Sequence, residues 1–192
     1  MNAVYRMARL LLGVEQYAAQ VRGRTPDPFL GPPTLSVGRI TGGVSPNTVP
    51  DFCRIDIDRR LIPGEKAAEA VADLDAFLRA FPGVDFPFTS TPPRLACPPL
   101  NPAAAGELVE RFGKAIDRVA GRHDVIGVPF GTDASTISEA GIPAVVFGPG
   151  DIAQAHTKDE WIDLAQLEPA AEILFRSEEH TSELQSPYVI SY

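Results

Sequence analysis

Phe52-Cys53-Arg54-Ile55-Asp56-Ile57-Asp58-Arg59-Arg60-Leu61-Ile62 alternates apolar and charged side chains over most of its length. A period of two is the period of a strand. Cys53, Ile55, Ile57 and Leu61 fall on one face, and Arg54, Asp56, Asp58 and Arg60 on the other. One face would pack on helices while the other stays wet, which suits an antiparallel sheet. Pro63-Gly64 ends the run.

The neighbouring segments build on this strand. Residues 34–41 also alternate and read as a strand, joined through Gly42-Gly43 and Pro46-Asn47 as a turn. Upstream, residues 2–20 place Val4, Met7, Ala8, Leu11, Leu12 and Val14 at helical spacing. Downstream, residues 66–81 predict a second helix and residues 84–91 a third strand. Helix, strand, strand, helix, strand is most of a split β-α-β, ferredoxin-like unit with its first strand missing.

Pro92-Pro93 and Pro98-Pro99 bracket a connection near residue 98. Beyond it the pattern changes. Residues 102–121 predict a helix ending at Gly121, and residues 125–130 a strand. Residues 134–140 read as a short helix. Ala144-Val145-Val146-Phe147 reads as a strand of a parallel sheet buried on both faces. Residues 164–175 predict a last helix, with Pro169 near its start. The expected class is α/β, with domains at 1–98 and 99–175.

Composition narrows the function. The 192 residues are 44% hydrophobic, 22% charged and 8% aromatic, ordinary values for a globular chain. The net charge of −8 argues against nucleic acid, whose binding needs Lys and Arg against phosphates. No apolar run reaches the ~18 residues of a membrane span, and the start lacks a signal-peptide pattern. Two isolated cysteines, Cys53 and Cys97, fit free thiols in a reducing compartment such as the cytoplasm. Nineteen prolines, clustered, mark where elements stop.

Residues 176–192 carry no apolar period and match the in-frame translation of a sequencing adapter, so they are expected to be a non-native tail. Without them the charge is −6, from 16 basic and 22 acidic residues, and His180 leaves the candidate ligands.

Chemistry is expected where strands end. Ligands of open α/β sheets gather beyond the carboxyl ends of strands. Gly131-Thr132-Asp133 and Gly148-Pro149-Gly150-Asp151, with His156 beyond, both leave strands there. Gly131 would let backbone approach a ligand and Thr132 could donate to it. Asp133 reads equally as the cap of the helix that follows. His156 reads as a metal ligand or as an ordinary loop histidine, since a catalytic zinc takes three protein ligands. His123, between Arg122 and Asp124, reads as a solvated turn residue. Arg59-Arg60 reads as an exposed face balanced by Asp56 and Asp58, or as a fork for a carboxylate. Asn47 reads equally as a turn residue.

Four stretches together resemble a known family. They are Gly42-Gly43-Val44-Ser45-Pro46-Asn47-Thr48-Val49-Pro50-Asp51; Ile57-Asp58-Arg59-Arg60 with Pro63-Gly64-Glu65; Gly131-Thr132-Asp133-Ala134; and residues 148–160, from Gly148-Pro149-Gly150-Asp151 through His156 to Glu160. They resemble the dinuclear zinc aminoacylases and carboxypeptidases that include acetylornithine deacetylase and succinyl-diaminopimelate desuccinylase. The resemblance spans residues 1–175 but only the C-terminal half of a family member.

The resemblance implies that residues 1–98 are a dimerising lid without its first strand, and that residues 99–175 end the zinc domain. It implies His156 as a zinc ligand and Asn47 and Arg60 as lid residues gripping a substrate carboxylate. Gly131, Thr132 and Asp133 would line the substrate pocket. The family's H-x-D, paired glutamates, further acidic ligand and lid histidine are expected upstream of Met1, which would then be an internal codon. The implied activity is hydrolysis of an N-acyl amino acid with two zinc ions per subunit. A dipeptidase or carboxypeptidase of the same family is the nearest alternative. The chain alone, lacking most ligands and the base, is expected to be inactive. A non-catalytic dimerisation module is the alternative from another class, because the missing strand leaves an open edge.

Overall fold

The computed structural model describes residues 1–178, apart from the side chains of residues 102 and 104. Two compact units emerge. The first comprises Met1–Asn101 with Gly127–Thr136, and the second Pro102–Ile126 with the described residues from Ile137 on.

In the first unit, α1 spans Ala3–Arg22, β1 Thr34–Gly42, β2 Cys53–Arg60 and α2 Ala67–Ala80. Asn2 caps α1 by accepting from the backbone of Val4 at 2.9 Å and Tyr5 at 3.2 Å, which satisfies two of the free first-turn donors. Met7, Leu10, Val14, Tyr17 and Val21 recur every three or four residues and form the buried stripe of α1. They close on Leu35 of β1 and Leu78 of α2. Burial of each large apolar side chain contributes roughly 1.5–3 kcal/mol, an upper figure for a compact unfolded state.

Gly13 sets how closely the helices approach. A Cβ there would stand 2.9 Å from Leu78 Cδ2 and 3.1 Å from Phe81 Cγ. Gly13→Val is therefore expected to destabilise by about 1–3 kcal/mol, read as a lower urea midpoint at unchanged slope.

The strands pair antiparallel, from Thr34 opposite Arg60 to Gly42 opposite Cys53. Gly38 is the extra residue of a bulge between Val37, opposite Ile57, and Arg39, opposite Asp56. The bulge shifts the alternation of β1, so Leu35 and Val37 before it, and Ile40 after it, share a face.

The expected third strand at 84–91 does not form. Its alternation is real: Val84, Phe86 and Phe88 pack on the core. Pro87 removes a ladder donor, and Pro92-Pro93 follow at once. The ferredoxin-like expectation is met only by a two-stranded sheet with two helices.

Asp75 of α2 bonds Arg79 at 2.6 Å and accepts from the Ser90 hydroxyl at 2.5 Å. First the Arg79 hydrogen bond and then that of Ser90 hold its carboxyl below the usual carboxylate range. A lowered folded pKa contributes stability above the unfolded pKa of about 4, lost as pH falls through the folded value. Asp75→Asn is expected to flatten that acid limb in unfolding midpoints measured from pH 5 downward.

In the second unit, α3 spans Gly106–Ala120 after a 3-10 turn at Pro102–Ala105, and α5 spans Leu167–Glu178 after one at Leu164–Gln166. Gly121 ends α3 with φ +86° and returns its N–H to Asp117 O, a left-handed stop that glycine adopts freely. Pro169 sits in the first turn of α5, where a missing N–H costs nothing. The helix runs three residues past the predicted end, and residues 179–192 of the expected tail lie outside the described residues. α3 packs on α5, and Phe112 meets the Phe147 ring at 5.4 Å. The short α4 spans Asp133–Glu139, its residues up to Thr136 belonging to the first unit.

The strands expected at 125–130 and 144–147 are corrected. Neither forms; Val125 and Ile126 are exposed, and of the 144–147 run expected to be buried on both faces Ala144 is buried but Val146 is exposed. Apolar runs supply side chains, but a strand also needs a neighbour for its backbone N–H and C=O groups. Among the described residues only β1 and β2 pair.

Candidate functional site

The outer sheet face presents Arg54, Asp56, Asp58 and Arg60. Arg60 donates through Nε to Asp58 Oδ1 at 2.8 Å and keeps 60% of its side chain exposed. Arg54 spends Nε and Nη2 on Asp56, at 2.8 and 2.7 Å. The Arg54 hydrogen bond, helped by charge from Arg54, Arg94 and Arg39, holds Asp56 below the usual carboxylate range.

Arg59 points the other way. Its Nη2 meets Glu65 Oε1 at 2.6 Å, with 13% of the side chain exposed. Glu65 also accepts from Arg24 at 3.0 Å and, through Oε2, from the Ile62 backbone at 3.1 Å. Of the Arg59-Arg60 pair, then, Arg59 clips the strand end to the following loop and Arg60 faces solvent.

Asn47 stands exposed on the loop between β1 and β2. Its Oδ1 accepts from the Ser45 hydroxyl, and Thr48 N–H donates to Ser45 O at 3.1 Å. That is the turn role that its sequence context allowed. No hydrogen bond joins Asn47 to Arg60 among the described residues.

Gly131 is exposed, with Cys97 Sγ 3.9 Å from where a Cβ would stand. Thr132 is half-buried, and its carbonyl accepts from the Ser135 hydroxyl at 2.8 Å. Asp133 is the first residue of α4, so it opens the helix from inside and no capping bond from its side chain is present among the described residues. A carboxylate there still complements the helix dipole.

His156 belongs to the second unit. Asp151 accepts from Ala153 N–H at 2.9 Å and starts the 3-10 turn Ile152–Gln154. Thr157 donates to Gln154 O at 2.7 Å. Between them His156 takes φ +59°, and its N–H donates to Glu160 Oε2 at 3.1 Å. It is the one non-glycine residue with positive φ among the described residues. Such strain persists only where neighbours hold it, and it gathers at functional sites. The histidine is exposed.

Two bonds beside these residues are not assigned from sequence, although Asp58 already reads as balancing the Arg59-Arg60 pair. Glu160 holds the His156 backbone from four residues away, and Asp58 holds the Arg60 guanidinium from two away. The signal for Asp58 was the strand alternation itself, which puts residues 58 and 60 on one face. No sequence signal marked the bond of Glu160.

Among the described residues, no three of His, Cys, Asp and Glu gather as a metal-binding group. His156 is a single donor and does not fit a zinc ion by itself.

The model of peptidase family M20/M25/M40 matches residues 8–179. The chain belongs to that family. The acetylornithine deacetylase of Myxococcus xanthus is 32% identical over 183 residues, covering 93% of this chain and 47% of that protein. A Mycobacterium tuberculosis protein named as a succinyl-diaminopimelate desuccinylase is 31% identical over 176 residues, 91% of this chain and 46% of its own. An N-acetyl-L-citrulline deacetylase of Xanthomonas campestris pv. campestris is 33% identical over 149 residues, 74% and 38% respectively. The crystal structure of the aminopeptidase PepT from Bacillus cereus superposes with a TM-score of 0.53 at 22% identity, over 88% of this chain and 45% of that one. This M20/M25/M40 chain thus spans about half the length of the relatives it matches. No described helix is long and apolar enough to cross a membrane.

Proposed function

We propose that this chain is the C-terminal half of a metal-dependent amidohydrolase that removes an acyl group from an N-acyl amino acid. The likeness to an acetylornithine deacetylase across 93% of the chain carries the reading. In it, residues 1–98 are the lid through which two subunits dimerise, and residues 99–175 complete the catalytic domain.

Arg60 and Asn47 grip the free carboxylate of the substrate. A guanidinium fork matches a carboxylate in shape and charge. Gly131, Thr132 and Asp133 line the pocket. His156 gives one ligand to a zinc pair whose other ligands come from the rest of the polypeptide. When bound, zinc would polarise the acyl carbonyl and supply a hydroxide nucleophile near neutral pH. The enzyme works in the cytoplasm.

The test uses two proteins. The complete enzyme is expected to release acetate from N-acetyl-L-ornithine and to lose that activity to a chelator. The 192-residue chain alone is expected to release none and to hold less than one metal ion per chain by elemental analysis. About two zinc ions per isolated chain would place the ligand set here and overturn the division. The desuccinylase name among the relatives favours one second reading, in which N-succinyl-L,L-diaminopimelate is cleaved faster than the acetyl substrate.

A further inference from the structure

β2 carries three arginines in different states. Arg54 has both Nε and Nη2 on Asp56. Arg59 is largely buried and ion-paired to Glu65. Arg60 alone of the three is bonded through Nε only, to Asp58, with no hydrogen bond from Nη1 or Nη2 among the described residues. A carboxylate meets a guanidinium bidentately on the Nε–Nη2 side or on the Nη1–Nη2 end. With Nε occupied, the end remains.

The geometry of the strand favours this pairing. Residues 58 and 60 are two apart on one face, so their Cβ atoms stand roughly 7 Å apart. That spacing lets a short Asp reach the inner Nε while the guanidinium end extends beyond it. A free arginine would lose rotamer entropy on gripping a ligand. A side chain already held at Nε loses less.

We propose that Asp58 is a positioning residue for the substrate, resting on the reading of Arg60 as the carboxylate grip. It holds the Arg60 guanidinium end-on, with Nη1 and Nη2 presented as a pair. The substrate class that follows is a ligand whose carboxylate approaches along the axis of the arginine, with its acyl group pointing away from the strand. Asp58 contacts no substrate itself. Its negative charge lies behind the fork, so it orients the guanidinium without competing for the Nη1–Nη2 end.

The test is a double-mutant cycle in the complete enzyme, with N-acetyl-L-ornithine as the probe and KM and kcat measured separately. Asp58→Ala is expected to raise KM about tenfold with kcat within about twofold. Asp58→Asn, whose amide oxygen still accepts from Nε, is expected to recover most of that loss. In the Arg60→Ala background, Asp58→Ala is expected to add nothing, because the partner it acts on is gone. A purely structural role would lower kcat and stability alike and would add in that background. An unchanged KM for Asp58→Ala beside a raised KM for Arg60→Ala would overturn the role of Asp58 alone. An unchanged KM for Arg60→Ala would overturn the carboxylate grip, and this proposal with it.

Discussion

Replacing His156 by alanine in the complete enzyme is expected to lower kcat/KM by more than about a hundredfold, since losing even the groups behind a metal ligand costs 10–100-fold. Metal content per subunit should fall in the same samples. The backbone gives the experiment its control. His156 sits at φ +59°, where asparagine is tolerated far better than most residues. His156→Asn therefore changes the donor with little change in backbone strain. If alanine and asparagine fail alike, the imidazole matters. If asparagine is near wild type in rate and metal, His156 is a loop residue held by Glu160 and has no place among the ligands.

Arg60→Ala is expected to raise KM by about a hundredfold while kcat changes much less. A bidentate pair contributes two charge-assisted hydrogen bonds, each about 1.5–3 kcal/mol, partly offset by the desolvation of both ions. About 3 kcal/mol of net binding corresponds to about a hundredfold. The carboxylate does not take part in the bond cleavage, so its loss removes binding common to ground and transition states. Arg60→Lys should recover the charge but not the fork, leaving an intermediate KM. Arg59→Ala, on the opposite face, should lower stability through its lost pairing with Glu65 and leave KM close to wild type. The two neighbours thus separate binding from folding within one dipeptide.

Much of the first unit was legible because its elements are amphipathic by themselves. Helical spacing announced α1, although of the stripe read from it (Val4, Met7, Ala8, Leu11, Leu12 and Val14) only Met7 and Val14 are buried and Ala8 and Leu12 are exposed, and the alternation from Phe52 to Ile62 announced β2. The error came where side-chain pattern and backbone bonding part company. Phe86 and Phe88 do bury against the core, but Pro87 between them cannot donate to a ladder. Residues 144–147 are as apolar as any buried strand, yet a strand exists only beside another. The candidate site divides the same way. The alternation that put Arg60 outward was readable, although Arg59-Arg60 reads as one exposed pair and the inward turn of Arg59 was missed. The left-handed backbone of His156 was not readable, because it depends on Asp151, Thr157 and Glu160 acting together across ten residues.

The extra residue at Gly38 bears on how the length of this hairpin can vary. On either side of it the cross-strand partners are already in register, Val37 with Ile57 and Arg39 with Asp56. Losing Gly38 would therefore leave every pair in place and only straighten the ribbon. Losing a residue of β1 away from the bulge while the bulge stays open would exchange the inward and outward sets of one half, sending Leu35 into water or Arg39 toward the helices. Insertions and deletions in natural variants of this hairpin should accordingly gather at residue 38, while the rest of the strand keeps its count.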